Sequence, residues 1–206
     1  MIFVTVGEIV WVRKGACVAA AMGAAGCPAA EQEAVGLSEG TGFRARCSED
    51  LAQPLQQAFA RAVAAGARRF TLTIAPGKYR EFALSLRDDR DADGMEVVVA
   101  GEGDVPVVLD GIALQLEADR VIVRNLVLQG NRRPAAVLDI RVATEFTGER
   151  LAFIDNECQD ATGTEPLVRL AASGHRGAAA RATLRHAWLI GNRVEGQAPL
   201  LATPRT

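Results

Sequence analysis

Lysine is nearly missing from this chain of 206 residues: Lys14 and Lys78 stand alone, and arginine supplies the rest of the positive charge. The arginines are interspersed with carboxylates and the formal net charge is −2. With no basic block, nothing points to nucleic acid. Long apolar runs are lacking as well. The small-residue stretch at 15–25 is too short and too weakly apolar to span a membrane. Histidine is limited to His175 and His186, neither with a Ser or Cys partner at readable spacing, so no nucleophilic triad is legible. His186 continues an inward column and reads as a packed core residue. Four cysteines are too few for a disulfide framework. Cys17 falls in the apolar stretch, Cys27 ends an AAGC box, Cys47 precedes a helix and Cys158 occupies an inward apolar position. A Cys47–Cys158 bridge is chemically allowed in an exported protein, but the two lie far apart in the repeat scheme below, so two free or buried thiols are expected.

What is present is repetition. VIVRN at 121–125 returns as AFIDN at 152–156 and WLIGN at 188–192, each followed two residues after the asparagine by another apolar residue: Val127, Cys158, Val194. Pro76, Pro106, Pro134, Pro166 and Pro199 fall about 30 residues apart, and the last four each open an apolar run. A unit this short cannot bury its apolar face alone, so the copies must stack into a solenoid of rungs. Asn125, Asn156 and Asn192 are then expected to form a hydrogen-bonded ladder at a bend.

In chain order, residues 1–30 read as an export or lipoprotein signal region. Arg13 and Lys14 precede the small-residue run, and Cys27 stands where a bacterial lipoprotein box carries its lipidated cysteine. Residues 1–12, with Glu8 and Trp11, fit no signal-peptide region, which points to translation from Val12. A buried Ala-rich helix is the alternative for the small-residue run. Residues 31–47 are polar and without periodicity, as in a tether. The body is residues 48–206. Ser48 or Asp50 caps a helix whose apolar face is Leu51, Leu55, Phe59, Ala62 and Val63, ended by a left-handed Gly66 and placed to plug the open end of the solenoid. From Phe70 the period becomes two, with strands in TLTI, FALSL, MEVVVAG and VPVVLDG.

The order LQQAF, AVAAG, TLTIAPGKYRE, VVVAGEG, PVVLDG, LQLEADRVIVRNLVLQGN resembles the opening half of right-handed parallel β-helix proteins of the pectin-lyase-like superfamily, over about residues 51–196. The resemblance implies an all-β solenoid behind an N-terminal capping helix. It also implies neighbours on successive rungs, about 4.8 Å apart. LSLR at 84–87, LQLE at 114–117, LDIR at 138–141 and VRLA at 168–171 superpose as one face. The pairs Asp139–Arg169, Arg124–Asp155 and Glu157–Arg193 are then expected in contact. Ile122, Phe153 and Leu189 fall at outward positions and form an apolar stripe, a candidate protein-contact surface.

Superfamily enzymes acting on acidic polysaccharides use carboxylate-held calcium with an arginine or lysine base, or an aspartate pair with an arginine. Carried onto this chain, the candidates are Arg124, Arg141, Arg169 and Asp160. Asp160 follows Gln159 as in the methylesterases, but their next aspartate motif is absent. Asp89, Asp91, Asp93 and Gly94 match the first half of a DxDxDG calcium loop, while the twelfth position is Ala100 instead of glutamate. The expectation is an exported, lipid-anchored, non-catalytic surface module of the bacterial envelope, associated with polysaccharide, with calcium as the one candidate ion. The alternatives are a small calcium-dependent polysaccharide lyase or carbohydrate esterase, and a truncated β-helix gene product.

Overall fold

The computed structural model describes residues 2–6, 9–12, 40–80, 84–88, 94–133, 135–158, 166–172, 180–194 and 201–202. These are mostly strand, with one short helix, and all of the strand pairings are parallel. The pairings sort into three ladders. The first contains β1 (Ile2–Val6), β3 (Gly40–Ala45), β4 (Arg69–Ile74) and β7 (Glu96–Gly101), with segments of the long strands β9 (Leu114–Gln129), β11 (Leu138–Ile154) and β14 (Ala180–Ile190). The second joins β2 (Ile9–Val12), β5 (Gly77–Arg80) and β8 (Val107–Asp110) to the closing segments of those long strands. The third joins β6 (Leu84–Arg87), β13 (Val168–Ala172) and β16 (Leu201–Ala202) to the opening segments of β9 and β11. Beyond the second ladder, β10 (Arg132–Arg133), β12 (Glu157–Cys158) and β15 (Arg193–Val194) pair among themselves. The chain visits the ladders in turn and returns one strand further along, a solenoid-like order.

Period-two alternation puts every second side chain inward, and register makes the inward residues columns. Phe70, Val97, Val121, Phe146 and Ala182 form one such column. Tyr79, Leu109, Leu128, Phe153 and Leu189 form another. All but Leu189, which packs against the core from a partly buried position, are buried. Phe153 is therefore a core residue, and Ile122 belongs to a different ladder, between Val98 and Thr147. The expected Ile122, Phe153, Leu189 stripe does not exist, because aligning VIVRN with AFIDN misassigns the rung. The true counterpart of AFIDN is VLQGN: Val127, Leu128 and Gln129 pair with Ala152, Phe153 and Ile154.

The corners explain the error. One corner turns through Asn125, Arg150 and His186, with φ of 58°, 51° and 52°. The next turns through Gly111, Gly130, Asp155 and Gly191, all with positive φ. Asparagine and glycine accept that conformation readily; for arginine or histidine it costs about 1–2 kcal/mol. His186 is accordingly an exposed corner residue, not a core one. Asn125 hydrogen-bonds locally, its amide nitrogen donating to the carbonyls of Gly101 (3.1 Å) and Gly103 (2.6 Å). Position 101 must be glycine, since a Cβ there would collide with the Asn125 carbonyl oxygen.

The asparagine ladder is Asn131, Asn156 and Asn192. Asn156 Oδ1 accepts from Asn131 N and Nδ2, both at 3.1 Å. Asn192 Oδ1 accepts from Asn156 N (3.1 Å) and Nδ2 (2.9 Å). Each amide nitrogen also donates to a carbonyl one rung back: Ile112, Leu128 and Phe153 respectively. The preceding rung carries Ile112 at this position, which leaves Asn131 Oδ1 buried and unbonded where the ladder starts.

The stretch read as a tether includes β3, paired with β4 along its length. After it, a turn of 3-10 helix at Glu49–Leu51 leads into α1 (Gln53–Ala64), which buries Leu55, Ala58, Phe59 and Ala62, with Leu51 buried just ahead of it. Gly66 follows at φ 68°. Neither Ser48 nor Asp50 caps the helix through its side chain. They close strand edges and turns instead. Ser48 Oγ accepts from Arg80 N (3.1 Å), and the Asp50 carboxylate accepts from Arg46 N (2.7 Å) and Cys47 N (3.2 Å). Gln56 Nε2 donates to Ser85 O (2.8 Å) on the edge strand β6. The helix thus stands where a preceding rung would satisfy that edge.

Asn156 is 1% exposed and links three rungs. Asn156→Ala is expected to lower the unfolding free energy by about 2–3 kcal/mol, because it strands buried donors and acceptors on both neighbours. Urea denaturation measures it; a loss below about 0.5 kcal/mol would show the ladder to be energetically idle.

Candidate functional site

The outward side of the third ladder carries the densest set of candidate residues. Ser85, Gln115, Asp139 and Arg169 form one column there, and Arg87, Glu117, Arg141 and Ala171 the column beside it. This is the register expected from LSLR, LQLE, LDIR and VRLA. Asp139 sits at the centre. Its Oδ2 lies 3.6 Å from Arg169 Nη1 and 3.9 Å from Arg141 Nη2, while Arg141 Nη1 reaches Glu117 Oε2 at 4.0 Å. Arg87 Nη2 donates to Gln115 Oε1 at 3.4 Å.

These are long contacts. Two guanidinium groups share one carboxylate oxygen, and the other oxygen, Asp139 Oδ1, is buried and accepts no hydrogen bond. The Asp139 side chain is only 11% exposed, against 44% for Arg141. An acceptor left unbonded at such burial costs free energy. Flanking guanidinium groups suit carboxylate or hydroxyl oxygens. The expected Asp139–Arg169 pair forms; what sequence reasoning missed is Arg141 on the same carboxylate oxygen.

The other candidates are scattered. Arg124 is exposed on the first ladder, between Ala100 and Glu149. It does not stack on Asp155, which turns a corner one ladder later. Glu157 and Arg193 do pair, at 4.0 Å. Asp160 with Gln159, His175, Cys27 and the calcium candidates Asp89, Asp91 and Asp93 lie outside the described residues. At the base of that aspartate loop, Asp88 is buried and its carboxylate accepts from Met95 N (2.8 Å). Among the described residues no three His, Cys, Asp or Glu side chains converge as metal ligands would. Cys158 is a buried thiol outside any disulfide, its Sγ donating to Ala135 O at 3.1 Å, whereas Cys47 is disulfide-bonded. The expectation of two free or buried thiols holds for Cys158, which is buried, and is corrected for Cys47, which is in a disulfide.

Two outward features escaped the sequence reading. On the first ladder Arg69, Glu96, Arg120, Glu145 and Arg181 alternate in charge rung by rung, with Arg69 Nε 3.0 Å from Glu96 Oε1. On the second ladder Val108, Val127, Ala152 and Trp188 make a half-buried apolar column. The missed signal was a second in-register reading of the same strands.

Beside that apolar column, Asp110 is gripped by Lys78 Nζ (3.0 Å), Arg80 Nε (3.0 Å) and Gln129 Nε2 (3.3 Å). Burial by itself would raise its pKa. Hydrogen bonds from Lys78 and Gln129 and the charges of Lys78 and Arg80 outweigh that, and the net shift is downward. Tyr79 goes the other way: burial first, then the nearby Asp50 and Glu102 carboxylates, push it up to about 12. Its hydroxyl donates to Ala75 O at 2.8 Å.

No protein-family model matches the chain, and neither a curated protein nor a solved structure is significantly similar to it.

Because the folded pKa of Asp110 lies below its unfolded value, its contribution to stability is present above about pH 4 and is lost as the pH falls through the folded value. Asp110→Asn should therefore be less stable than wild type at neutral pH, with the gap closing in acid. Urea midpoints from pH 7 downward test this; a constant gap would place the cost in packing rather than charge.

Proposed function

We propose that the chain is a right-handed parallel β-helix of the pectin-lyase-like kind, and that its third ladder binds an acidic polysaccharide without cleaving it. The reading is supported above all by Asp139. A buried carboxylate with one unbonded oxygen, in a row of Ser85, Gln115 and Arg169 at one-rung spacing, offers alternating donors and acceptors along an extended chain. Sugar hydroxyls and carboxylates fit that row by direct or water-mediated hydrogen bonds. Arg141 and Arg169 serve here as anion contacts, since each is already engaged by Asp139.

In this proposal the protein is exported to the bacterial envelope and held there through a lipid on Cys27. Cys27 can carry that lipid or a disulfide to Cys47, not both, so mass mapping of the purified protein without reduction decides between them. Calcium at Asp89, Asp91 and Asp93 would add stability by relieving carboxylate repulsion.

The test is binding and turnover on pectate, alginate and chondroitin, with and without calcium. Retarded migration in a polysaccharide gel is expected, with no release of unsaturated ends or of ester-derived alcohol. Either product would overturn the proposal in favour of a calcium-dependent lyase or an esterase drawing its base from Arg124, Arg141 or Arg169. Asp139→Asn should abolish the retardation while leaving the melting temperature unchanged or raised, because it relieves an under-bonded buried charge. Loss of binding accompanied by loss of stability would instead mark Asp139 as structural.

A further inference from the structure

The outward side of the second ladder is apolar over most of its length. Val108, Val127, Ala152 and Trp188 stand in one column, and Ile154 and Ile190 continue the column of Asp110 and Gln129 beside it. All six are half-buried, whereas the inward residues between them, Leu109, Leu128 and Phe153, are at most 1% exposed. Among the described residues, the partly buried apolar side chains that pack against the core are Val63, Ala67, Leu189 and Val194, and none of the six is one of them. Val105, at 55% the one exposed large apolar side chain among the described residues, leads into β8 of the same ladder.

One border of this face is basic. It is the corner where the first ladder passes into the second. Arg124, Glu149 and Arg185 stand there in register, and Arg150 and His186 turn the positions that follow. The three arginines and the histidine are exposed, and among the described residues no ion pair or side-chain hydrogen bond engages them. The carboxylates of this border are Glu149 and, in the turn before β8, Asp104; Glu102 is already held by Arg44. Across the face, Arg132 and Arg193 are balanced by Asp155 and Glu157, so the basic excess lies on the first-ladder side. Glycine fills three of the four turns of the next corner, at 111, 130 and 191. Stacking therefore asks for no side chain at 150 or 186. Held at φ of 51° and 52°, Arg150 and His186 carry a cost that glycine would avoid, and such strain collects at binding surfaces.

We propose that the outward face of the second ladder docks on an anionic lipid surface. Its apolar side chains enter the interfacial layer, where tryptophan is favoured, and Arg124, Arg150, Arg185 and His186 meet the phosphate groups. The proposal rests on the envelope placement made above, since a lipid on Cys27 brings such a surface within reach. An acyl chain and a basic patch together anchor a protein more firmly than either alone. Ser85, Gln115, Asp139 and Arg169 belong to a different ladder, so the docked protein keeps its polysaccharide row free.

The test is co-sedimentation of the full chain, made unacylated by cell-free synthesis, with vesicles of phosphatidylglycerol and phosphatidylethanolamine and with vesicles of phosphatidylcholine alone. Saturable binding to the anionic vesicles is expected, weakening as salt is added. Arg150→Gly/Arg185→Gln/His186→Gly should weaken it about tenfold or more, with the melting temperature unchanged or raised because glycine relieves both positive-φ positions. Trp188→Ser should weaken it severalfold. Absent binding, equal binding to phosphatidylcholine, or binding indifferent to salt would overturn the proposal even if the triple variant fails to fold. A wild-type dimer dissociated by Trp188→Ser would also overturn it, by giving the face to a second copy. Polysaccharide retardation, run in parallel, separates the two readings. Its absence from the unmutated chain would reject the third-ladder reading and not this one, whereas its loss in the triple variant would make the basic border part of the polysaccharide site and overturn the lipid assignment.

Discussion

Parallel in-register stacking governs this molecule. Each ladder strand lies one rung from its neighbours, so a residue's closest non-local contacts are set by its counterpart in the next repeat. Buried columns must then be apolar from end to end, as with Tyr79, Leu109, Leu128 and Phe153. Outward columns must avoid like charges at contact distance. The alternation of Arg69, Glu96, Arg120, Glu145 and Arg181 meets that requirement along a whole ladder. Such exposed pairs each contribute little. Their larger effect is to penalise a slipped register, which would place arginine on arginine.

The same constraint makes the corners and ends the costly places. A strand that passes from the first ladder to the second turns through a residue with positive φ, and where that residue is Arg150 or His186 the chain bears a local strain. The amides of Asn131, Asn156 and Asn192 offset the turning of the backbone by tying each corner to the next. A bulge between Val142 and Glu145 absorbs one extra residue, with Thr144 Oγ1 donating to Asp119 O at 3.0 Å. At the ends, where no further repeat exists, side chains and added segments substitute for it.

Against this self-satisfying background, Asp139 stands out. By contrast, Arg44 grips Glu102 at 2.8 Å and 2.9 Å, and Asp110 has three donors. Asp139 is buried yet under-bonded, with only distant guanidinium contacts. Among the described residues only Asn131 Oδ1, where the asparagine ladder starts, is likewise buried and unbonded.

The sequence by itself determined the parallel repeat and the register of four of the strand segments of the third ladder, at 84–87, 114–117, 138–141 and 168–171. These four segments share a four-residue frame in which apolar and polar residues alternate, and a one-residue slip would turn every apolar side chain outward. It also determined the apolar face of α1 and its glycine stop. Only the tertiary structure decided which corner each asparagine turns. VIVRN and VLQGN both end in alternating apolar residues and asparagine, and nothing local distinguishes the rung that pairs with AFIDN. The same holds for Asp139, whose exposure depends on side chains from two other rungs. Residues 2–6 and 9–12 are the extreme case: their partners lie about 180 positions away, and hydrogen bonds across that separation leave no trace in a local pattern.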